Sequence, residues 1–420
     1  MTLATIDNKA EWLHRPGLQA LLAVLNEGDE EARIAGGAVR NALLGQPVTD
    51  VDIATTTTPE ETTRRAEAAG FKVVPTGFEH GTVTVVAKGL PYEVTTLRAD
   101  VETDGRYARV VFGRDWRDDA ERRDFTINAL YAEADGRVVD LVGGLSDLET
   151  RTLRFIGDAE TRIREDYLRI LRFFRFFAWY GSGRPDADGL KACTRLRDGL
   201  ARLSAERVWS ELKKLLAAAD PSRALLWMRQ TGTLTAVLPE SERWGIDAIH
   251  GLVDTERAFG WAPDPLLRLA AIIPPDAERV KALAVRLRMS KAEAAALVGW
   301  AEAPVPDPSL GESAFAKLLY RAGEKGVDKR LGLALAGARA RAQADDGALM
   351  EAAGYRRLLD TLERWQRPVF PLGGKDLLPL GFKPGAELGK TLAALEERWL
   401  ESGFAMSRED LLSEARGEKR

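Results

Sequence analysis

The stretch Ile34-Ala35-Gly36-Gly37-Ala38-Val39-Arg40, followed thirteen positions after Gly37 by Asp50-Val51-Asp52, decides the reading of this chain. A glycine pair between a strand and a helix lets backbone amides approach phosphate oxygens, and the helix N-terminus adds a favourable field. Arg40, one turn into that helix, can reach the same anion. On a strand, alternation puts Asp50 and Asp52 on one face. Two carboxylates there can bridge two Mg²⁺ ions, which complete their shells with substrate phosphates. Either half alone reads as a Gly-rich turn or a turn-starting Asp pair; the order and spacing point to one site.

Outward from this stretch, residues 33–35, 51–54, 71–74, 82–87 and 92–97 read as strands, rich in β-branched side chains between Gly, Pro and charged punctuation. Residues 38–44 and 59–69 read as helices, the second with Thr58 as N-cap, Pro59 in its first turn and Gly70 past its end. Residues 82–97, with Gly89-Leu90-Pro91 between two strands, read as a hairpin. If the strand carrying Glu93 pairs beside the Asp50 strand, Glu93 faces the same metals or accepts the proton of an attacking hydroxyl; otherwise it is an edge carboxylate paired with Arg98. Residues 99–119 are charged and weakly periodic, a candidate mobile loop. Beyond about residue 150 strand signals fade, and 160–180, 205–219, 222–232 and 279–287 carry helical spacing. Residues 303–309, with three prolines, read as a linker. The fold class is α+β: a small mixed head, then a long all-helical remainder.

Two further motifs carry charge next to apolar runs. In Glu121-Arg122-Arg123-Asp124-Phe125-Thr126-Ile127-Asn128, Arg123 suits a phosphate and Asp124 a ribose hydroxyl. In Glu165-Asp166-Tyr167-Leu168-Arg169-Ile170-Leu171-Arg172-Phe173-Phe174-Arg175, Asp166 and Arg169 read as i,i+3 neighbours on one helix face. Residues 173, 174, 176, 177, 179 and 180 are aromatic, so the helix is apolar nearly all round and expected to be buried. Arg169, Arg172 and Arg175 then each need a carboxylate, a phosphate or a base edge.

Composition excludes more than it selects. At 420 residues the chain exceeds one core and suggests two to four domains. One cysteine, Cys193, rules out an intramolecular disulfide framework, and three scattered histidines offer no metal-ligand spacing. No stretch approaches the roughly 18 apolar residues of a membrane span, and nothing at the N-terminus marks export. A reducing, cytoplasmic compartment is expected, with no membrane and no obligate protein partner. The net charge of −4 neither announces nor excludes a nucleic-acid partner.

Taken together, Gly-Gly-Ala-Val-Arg, Asp-Val-Asp, Arg-Arg-Asp-Phe-Thr-Ile-Asn-Ala and Glu-Asp-Tyr-Leu-Arg-Ile-Leu-Arg resemble the class II CCA-adding tRNA nucleotidyltransferase and poly(A) polymerase family. Thr103-Asp104-Gly105-Arg106 and Asp115-Trp116 are similar to that family's flexible loop region. The resemblance implies a polymerase-beta-type nucleotidyltransferase head (1–152), a helical neck with a base-reading helix (153–222), a helical body (223–345) and a tRNA-binding tail (346–420). It implies that Asp50 and Asp52 hold Mg²⁺, that Gly36, Gly37 and Arg40 contact the triphosphate, and that Arg123 and Asp124 contact triphosphate and ribose. Asp166 and Arg169 would read the base, supported by Arg172 and Arg175. Asn41 departs from the family, which usually has Asp there, and this puts a capping or packing contact in doubt. The implied activity is template-independent addition of CCA, from CTP and ATP, to the tRNA 3′ end. A poly(A) polymerase or a partial CC- or A-adding enzyme shares these motifs; a catalytically silent RNA-binding protein would not need both aspartates. In the tail, residues 372–386 read as two short helices joined by a Gly/Pro turn, with Lys375 and Lys383 placed to grip tRNA phosphates or simply closing the tail. No His-Asp dipeptide is present, so an added phosphohydrolase activity is not expected.

Overall fold

A computed structural model describes residues 4–7, 10–100, 110–242, 245–342 and 344–418. Helix α1 (Pro16–Leu25) buries Leu18, Leu21, Leu22 and Leu25. Gly17 lets it lie against the sheet, since a Cβ there would come 2.8 Å from the Ala87 carbonyl oxygen. Strand β1 (Ala32–Ala35) passes through Gly36 into α2 (Gly37–Leu43), and β2 (Asp52–Thr55) follows. Helix α3 (Pro59–Ala68) is capped by Thr58, whose hydroxyl accepts from the Glu61 N–H at 3.3 Å. Then come β3 (Lys72–Gly77), β4 (Thr82–Ala87) and β5 (Leu90–Thr96). The expected hairpin is β4–β5, turned by Lys88 and Gly89, both at positive φ (52° and 81°) as a type I′ turn requires.

A separate antiparallel ribbon, β6 (Arg98–Asp100) with β7 (Val110–Phe112), occupies part of the segment read as a loop. Thr103, Asp104, Gly105 and Arg106 lie outside the described residues. Helix α4 (Trp116–Glu121) leads through a 3₁₀ turn at Thr126–Asn128 to β8 (Leu130–Ala132) and β9 (Val138–Asp140), then to α5 (Gly144–Glu149). The main sheet runs β3-β4-β5-β2-β1-β8-β9. Only β2 and β5 pair in parallel; the other neighbours are antiparallel. Ala35 and Ala54 on the central strands leave room for Trp116, Tyr131 and Leu97 in the core, with the Trp116 and Tyr131 rings edge to face at 5.1 Å.

The remainder is helical: α6 (Ala159–Glu165), α7 (Leu168–Tyr180), α8 (Ala187–Leu196), α9 (Ala205–Leu216), α10 (Ser222–Gln230) and α11 (Thr233–Val237). Two expectations need correction. The single helix over 160–180 is broken: Asp166 takes an extended conformation (φ −152°, ψ 108°) and its Oδ1 accepts from the Leu168 N–H at 3.0 Å. This Asx-type contact ends one helix and starts the next, so Asp166 and Arg169 do not share a helix face. Asp50 likewise precedes β2 rather than lying on it, so strand alternation does not place it beside Asp52.

The chain divides into two compact units, Met1–Pro239 and Glu240–Arg420. Among the described residues all the sheet structure lies in the first. The second is helical there and holds a fully buried ion pair, Arg268 with Glu256 at 2.6 Å. Its last part differs from two short helices: the short helix Gly374–Leu377 and a 3₁₀ turn lead through Gly381 and Gly385 into the 16-residue helix Ala386–Glu401. Lys375 and Lys383 are both exposed.

Gly144 is where the head's packing is tightest on the side of the Arg123–Asn128 motif, because a Cβ there would lie 2.3 Å from the Thr126 carbonyl oxygen. Gly144→Ala is expected to destabilise the protein by about 1–3 kcal/mol through this overpacking. Urea denaturation measures it; an unchanged midpoint would show that the 126–128 turn yields freely.

Candidate active site

A cavity of about 630 Å³ opens in the first unit where the β1–α2 turn, β2, β5, the 119–128 segment and the start of α7 converge. Gly36 caps α2 at φ +62°, a conformation that favours glycine, and a Cβ there would also meet Arg123 Nη1 at 3.1 Å and the Asn128 carbonyl oxygen at 3.2 Å. Gly37 is different. The nearest atom to its hypothetical Cβ is Arg40 Nη2 at 3.8 Å, so the fold itself leaves that side open.

One side of the cavity is acidic. Parallel pairing sets Asp52 directly opposite Glu93, so both side chains rise from the same face of adjacent strands. Both line the cavity, and no cation is paired with either among the described residues. Desolvation, then Glu93, raises the Asp52 pKa above the ordinary carboxylate value; Asp50 adds to this, and Arg123 pulls the other way. Asp50 is exposed, accepts from Thr49 Oγ1 at 3.0 Å, and is not one of the lining residues. Among the described residues no three His, Cys, Asp or Glu side chains form a complete metal cage.

Seven arginines also line the cavity, and nearly every guanidinium is committed. Asp119, on the buried side of α4, pairs with Arg122 and Arg123 (3.1 Å for the latter) and accepts from the Tyr131 hydroxyl at 2.7 Å. Burial opposes the Asp119 charge, but Arg123 and Arg122 hold its pKa below the usual range. Arg172 pairs with Asp124 at 2.6 Å; that carboxylate also accepts from the Phe125 N–H and from Asn128 Nδ2, each at 2.9 Å. Arg175 pairs with Glu211 of α9 at 2.5 Å. Asp166 pairs with Arg207, also of α9, at 2.6 Å, while Arg169 pairs with Glu165 and donates to the Arg162 carbonyl at 2.9 Å. The apolar-helix argument that each arginine needs a partner therefore resolves to carboxylates.

Arg40 is the exception. It is buried, and among the described residues it is the one arginine of the seven lining the cavity with no carboxylate within 4.0 Å. The Phe176 ring lies close to three of these cations, with Arg40, Arg172 and Arg175 at 5.3, 5.2 and 4.1 Å from its centre.

The cavity thus brings together Gly36, Gly37, Arg40, Asp52, Glu93, Arg123, Asp124, Asp166, Arg169, Arg172 and Arg175, while Lys375 and Lys383 belong to the second unit. Sequence reading missed Asp119, Asn128, Tyr131, Phe176, Tyr180, Arg207 and Glu211. Asp119 had a signal, standing one helical turn before Arg123; Glu211 and Arg207 had none, being brought in by the packing of α9 on α7.

A strand–Gly–Gly–helix turn facing unpaired carboxylates and a wall of arginine defines a nucleotidyltransferase head, and the family model described as the poly(A) polymerase head domain matches residues 32–154. A second, described as a probable RNA and SrmB-binding site of polymerase A, matches residues 185–244. The chain is 36% identical over 98% of its length to the mitochondrial CCA tRNA nucleotidyltransferase 1 of Danio rerio, of which 93% is covered. It is 34% identical over 96% to the Homo sapiens protein of that name, of which 90% is covered. It belongs to the CCA tRNA nucleotidyltransferase family. Among solved structures, the Bacillus stearothermophilus CCA-adding enzyme in complex with CTP is similar at a TM-score of 0.67 and 27% identity, covering 96% of this chain and 99% of that one. The Thermotoga maritima CCA-adding enzyme complexed with tRNA shares the fold at a TM-score of 0.69 and 20% identity, with both chains fully covered.

A folded-state carboxyl with a raised pKa binds its proton more tightly than the unfolded chain does. Its ionised form therefore weakens the fold above that pKa, and the penalty vanishes as pH falls through it. Asp52→Asn is expected to raise the melting temperature near neutral pH, by less than about 1 kcal/mol of stability because the residue, though its carboxyl is partly desolvated, remains open to solvent screening. The gap between the two proteins should close on acidification; a melting temperature lowered by the substitution at neutral pH would contradict the repulsion.

Proposed function

We propose that this protein adds cytidine, cytidine and adenosine to the 3′ end of tRNA, without a template, from CTP and ATP. The observation that carries the reading is the charge inventory of the cavity. Each arginine lining it except Arg40 is paired with a carboxylate, Arg122 and Arg123 sharing Asp119, whereas Asp52 and Glu93 have no paired cation among the described residues. A ligand complementary to both Arg40 and the Asp52–Glu93 pair brings an anion and a cation together, as a metal-bound nucleoside triphosphate does. The activity named for its relatives supports the same reading.

Asp52 and Asp50 are oxygen donors of the kind Mg²⁺ prefers, and that ion needs only one or two carboxylates when substrate phosphates complete its shell. Held by these carboxylates, Mg²⁺ would supply a lowered pKa for the attacking hydroxyl and charge compensation for the departing pyrophosphate. Glu93 adds negative potential beside Asp52. Amides of the Gly36–Gly37 turn, with Arg40 and Arg123, hold the triphosphate so that its α-phosphorus faces the tRNA 3′-hydroxyl in line. Asp124 now receives the Phe125 N–H, Asn128 and both reaching nitrogens of Arg172. It can take a ribose hydroxyl only in exchange for one of these donors.

Base selection falls to Asp166 and Arg169. Each Asp166 oxygen accepts a single donor, from Leu168 N–H and Arg207, which leaves room for a base amino group. Arg169 uses only Nη1 in its present hydrogen bonds. Cytosine and adenine each present an amino donor beside a ring-nitrogen acceptor, which an acceptor–donor pair matches. Uracil and guanine present the reverse, and the buried groups then left unpaired cost on the order of several kcal/mol. Arg172 and Arg175, fixed by Asp124 and Glu211, brace this pair.

The four-part division into head (1–152), neck (153–222), body (223–345) and tail (346–420) belongs to the same proposal. Exposed Lys375 and Lys383 are assigned to tRNA phosphates and the protein to the cytoplasm; no helix among the described residues is long and apolar enough to cross a membrane.

Two experiments test the proposal on a tRNA lacking its last three nucleotides, with labelled CTP and ATP. Asp50→Ala or Asp52→Ala should abolish incorporation while the protein stays folded by circular dichroism; near-normal incorporation would remove the metal assignment. Arg169→Ala should raise UTP and GTP incorporation relative to CTP and ATP by at least about tenfold, the scale of one lost buried hydrogen-bond match, with tRNA affinity nearly unchanged. Intact discrimination would end the base-reading account. Growth of the product beyond three nucleotides, or arrest after two, would instead identify a poly(A) polymerase or a partial enzyme.

A further inference from the structure

We propose that Asn41 is a positioning residue that holds Arg40 without neutralising it, so that the first full counter-charge Arg40 meets is the triphosphate of the nucleotide; this rests on the nucleotide reading above. Arg40 is 6% exposed. Its Nε and Nη2 donate to Asn41 Oδ1 at 3.2 and 2.9 Å, Nη2 donates also to the Tyr180 hydroxyl at 2.8 Å, and Nη1 donates to Asn128 Oδ1. All three partners are neutral. The Tyr180 ring lies 4.0 Å from the guanidinium and adds attraction without charge. Four of the five N–H groups are thereby satisfied, which fixes the side chain, yet its charge is not cancelled. Burial correspondingly lowers the Arg40 pKa, opposed chiefly by Tyr180 and less by Asp124. The other six arginines of the cavity each have a carboxylate partner already, Arg122 and Arg123 sharing Asp119.

Asn41 is built for this task as an amide. Its Oδ1 accepts from Arg40 and, at 3.3 Å, from the Tyr180 hydroxyl, while its Nδ2 donates to the Pro47 carbonyl at 3.2 Å. Its own carbonyl accepts from the Gln46 N–H at 2.8 Å. A carboxylate at this position would keep the acceptor contacts but would set an oxygen against the Pro47 carbonyl. It would also turn the contact with Arg40 into a two-pronged ion pair, and the incoming phosphate would then compete with a resident anion for the same guanidinium. Through Pro47 the same side chain ties Arg40 to the turn that leads to Asp50, linking the cation to the acidic side of the cavity.

The test compares the full-length protein with Asn41→Asp and Asn41→Ala, using calorimetric binding of CTP and of inorganic tripolyphosphate, thermal melting, and CTP incorporation. Asn41→Asp is nearly isosteric, so a role in shape alone predicts no change. The charge role predicts that it binds CTP and tripolyphosphate about three- to tenfold more weakly, on the scale of one partly screened charge pair, with the loss in KM rather than kcat. Asn41→Ala, which leaves Arg40 charged, should lose less tripolyphosphate affinity than Asn41→Asp. Undiminished tripolyphosphate binding by a folded Asn41→Asp protein, or equal losses in the two variants, would overturn the inference. Arg40→Ala separates the levels: if it binds CTP and tripolyphosphate like the unaltered protein, the nucleotide reading of the cavity fails. If it loses both while Asn41→Asp loses neither, only the role of Asn41 fails.

Discussion

Asp52 and Glu93 stand opposite one another on adjacent parallel strands, with no cation paired to either among the described residues. Like charges so placed repel, and burial first, then the Glu93 charge, raises the Asp52 pKa. The arrangement exists because β2 and β5 are the one parallel pair in the sheet. Reaching it requires the chain to leave β2, run through α3 and the β3–β4 antiparallel pair, and return on β5. The fold therefore uses about forty residues, roughly a βαβ crossover with two extra strands, to seat two carboxylates side by side.

The arginine wall opposite is organised by the reverse logic. Each guanidinium apart from Arg40 is matched to a carboxylate that comes from another element or another turn, and packing on Phe176 keeps three of them close. Pairing makes the crowding of seven cations tolerable. It also means that these side chains arrive preorganised, with little rotamer freedom left to lose when a nucleotide binds. Asp119 illustrates the economy: one buried carboxylate fixes two arginines and a tyrosine, and through Arg123 it reaches the glycine turn.

Much of this was legible in the chain. The Thr58 cap, the hairpin over residues 82–97, the Gly-Gly turn and the all-helical second half follow from local steric and hydrogen-bonding rules, which act within a few residues. The helix over 160–180 was misread at one point because Asp166 offers the backbone a competing hydrogen bond, and propensity does not reveal which partner wins. The extended stretch Leu130–Ala132 is not among the strands read from the sequence, because three apolar residues carry no usable period. Its pairing with β1 and β9 is what makes it a strand.

By itself the sequence determined which residues could do chemistry: the glycines that admit a phosphate, the acids that suit a divalent ion, and the arginines that an apolar helix could not leave alone. Those properties belong to side-chain type and short spacing. Tertiary structure decided which partner each would have: Glu211 for Arg175, Arg207 for Asp166, Glu93 beside Asp52, and only neutral groups around Arg40. Such choices depend on distance through space, which falls off within a few ångströms for hydrogen bonds and ion pairs. Residues more than a hundred positions apart, such as Arg40 and Tyr180, become neighbours only once the strands and helices between them have packed.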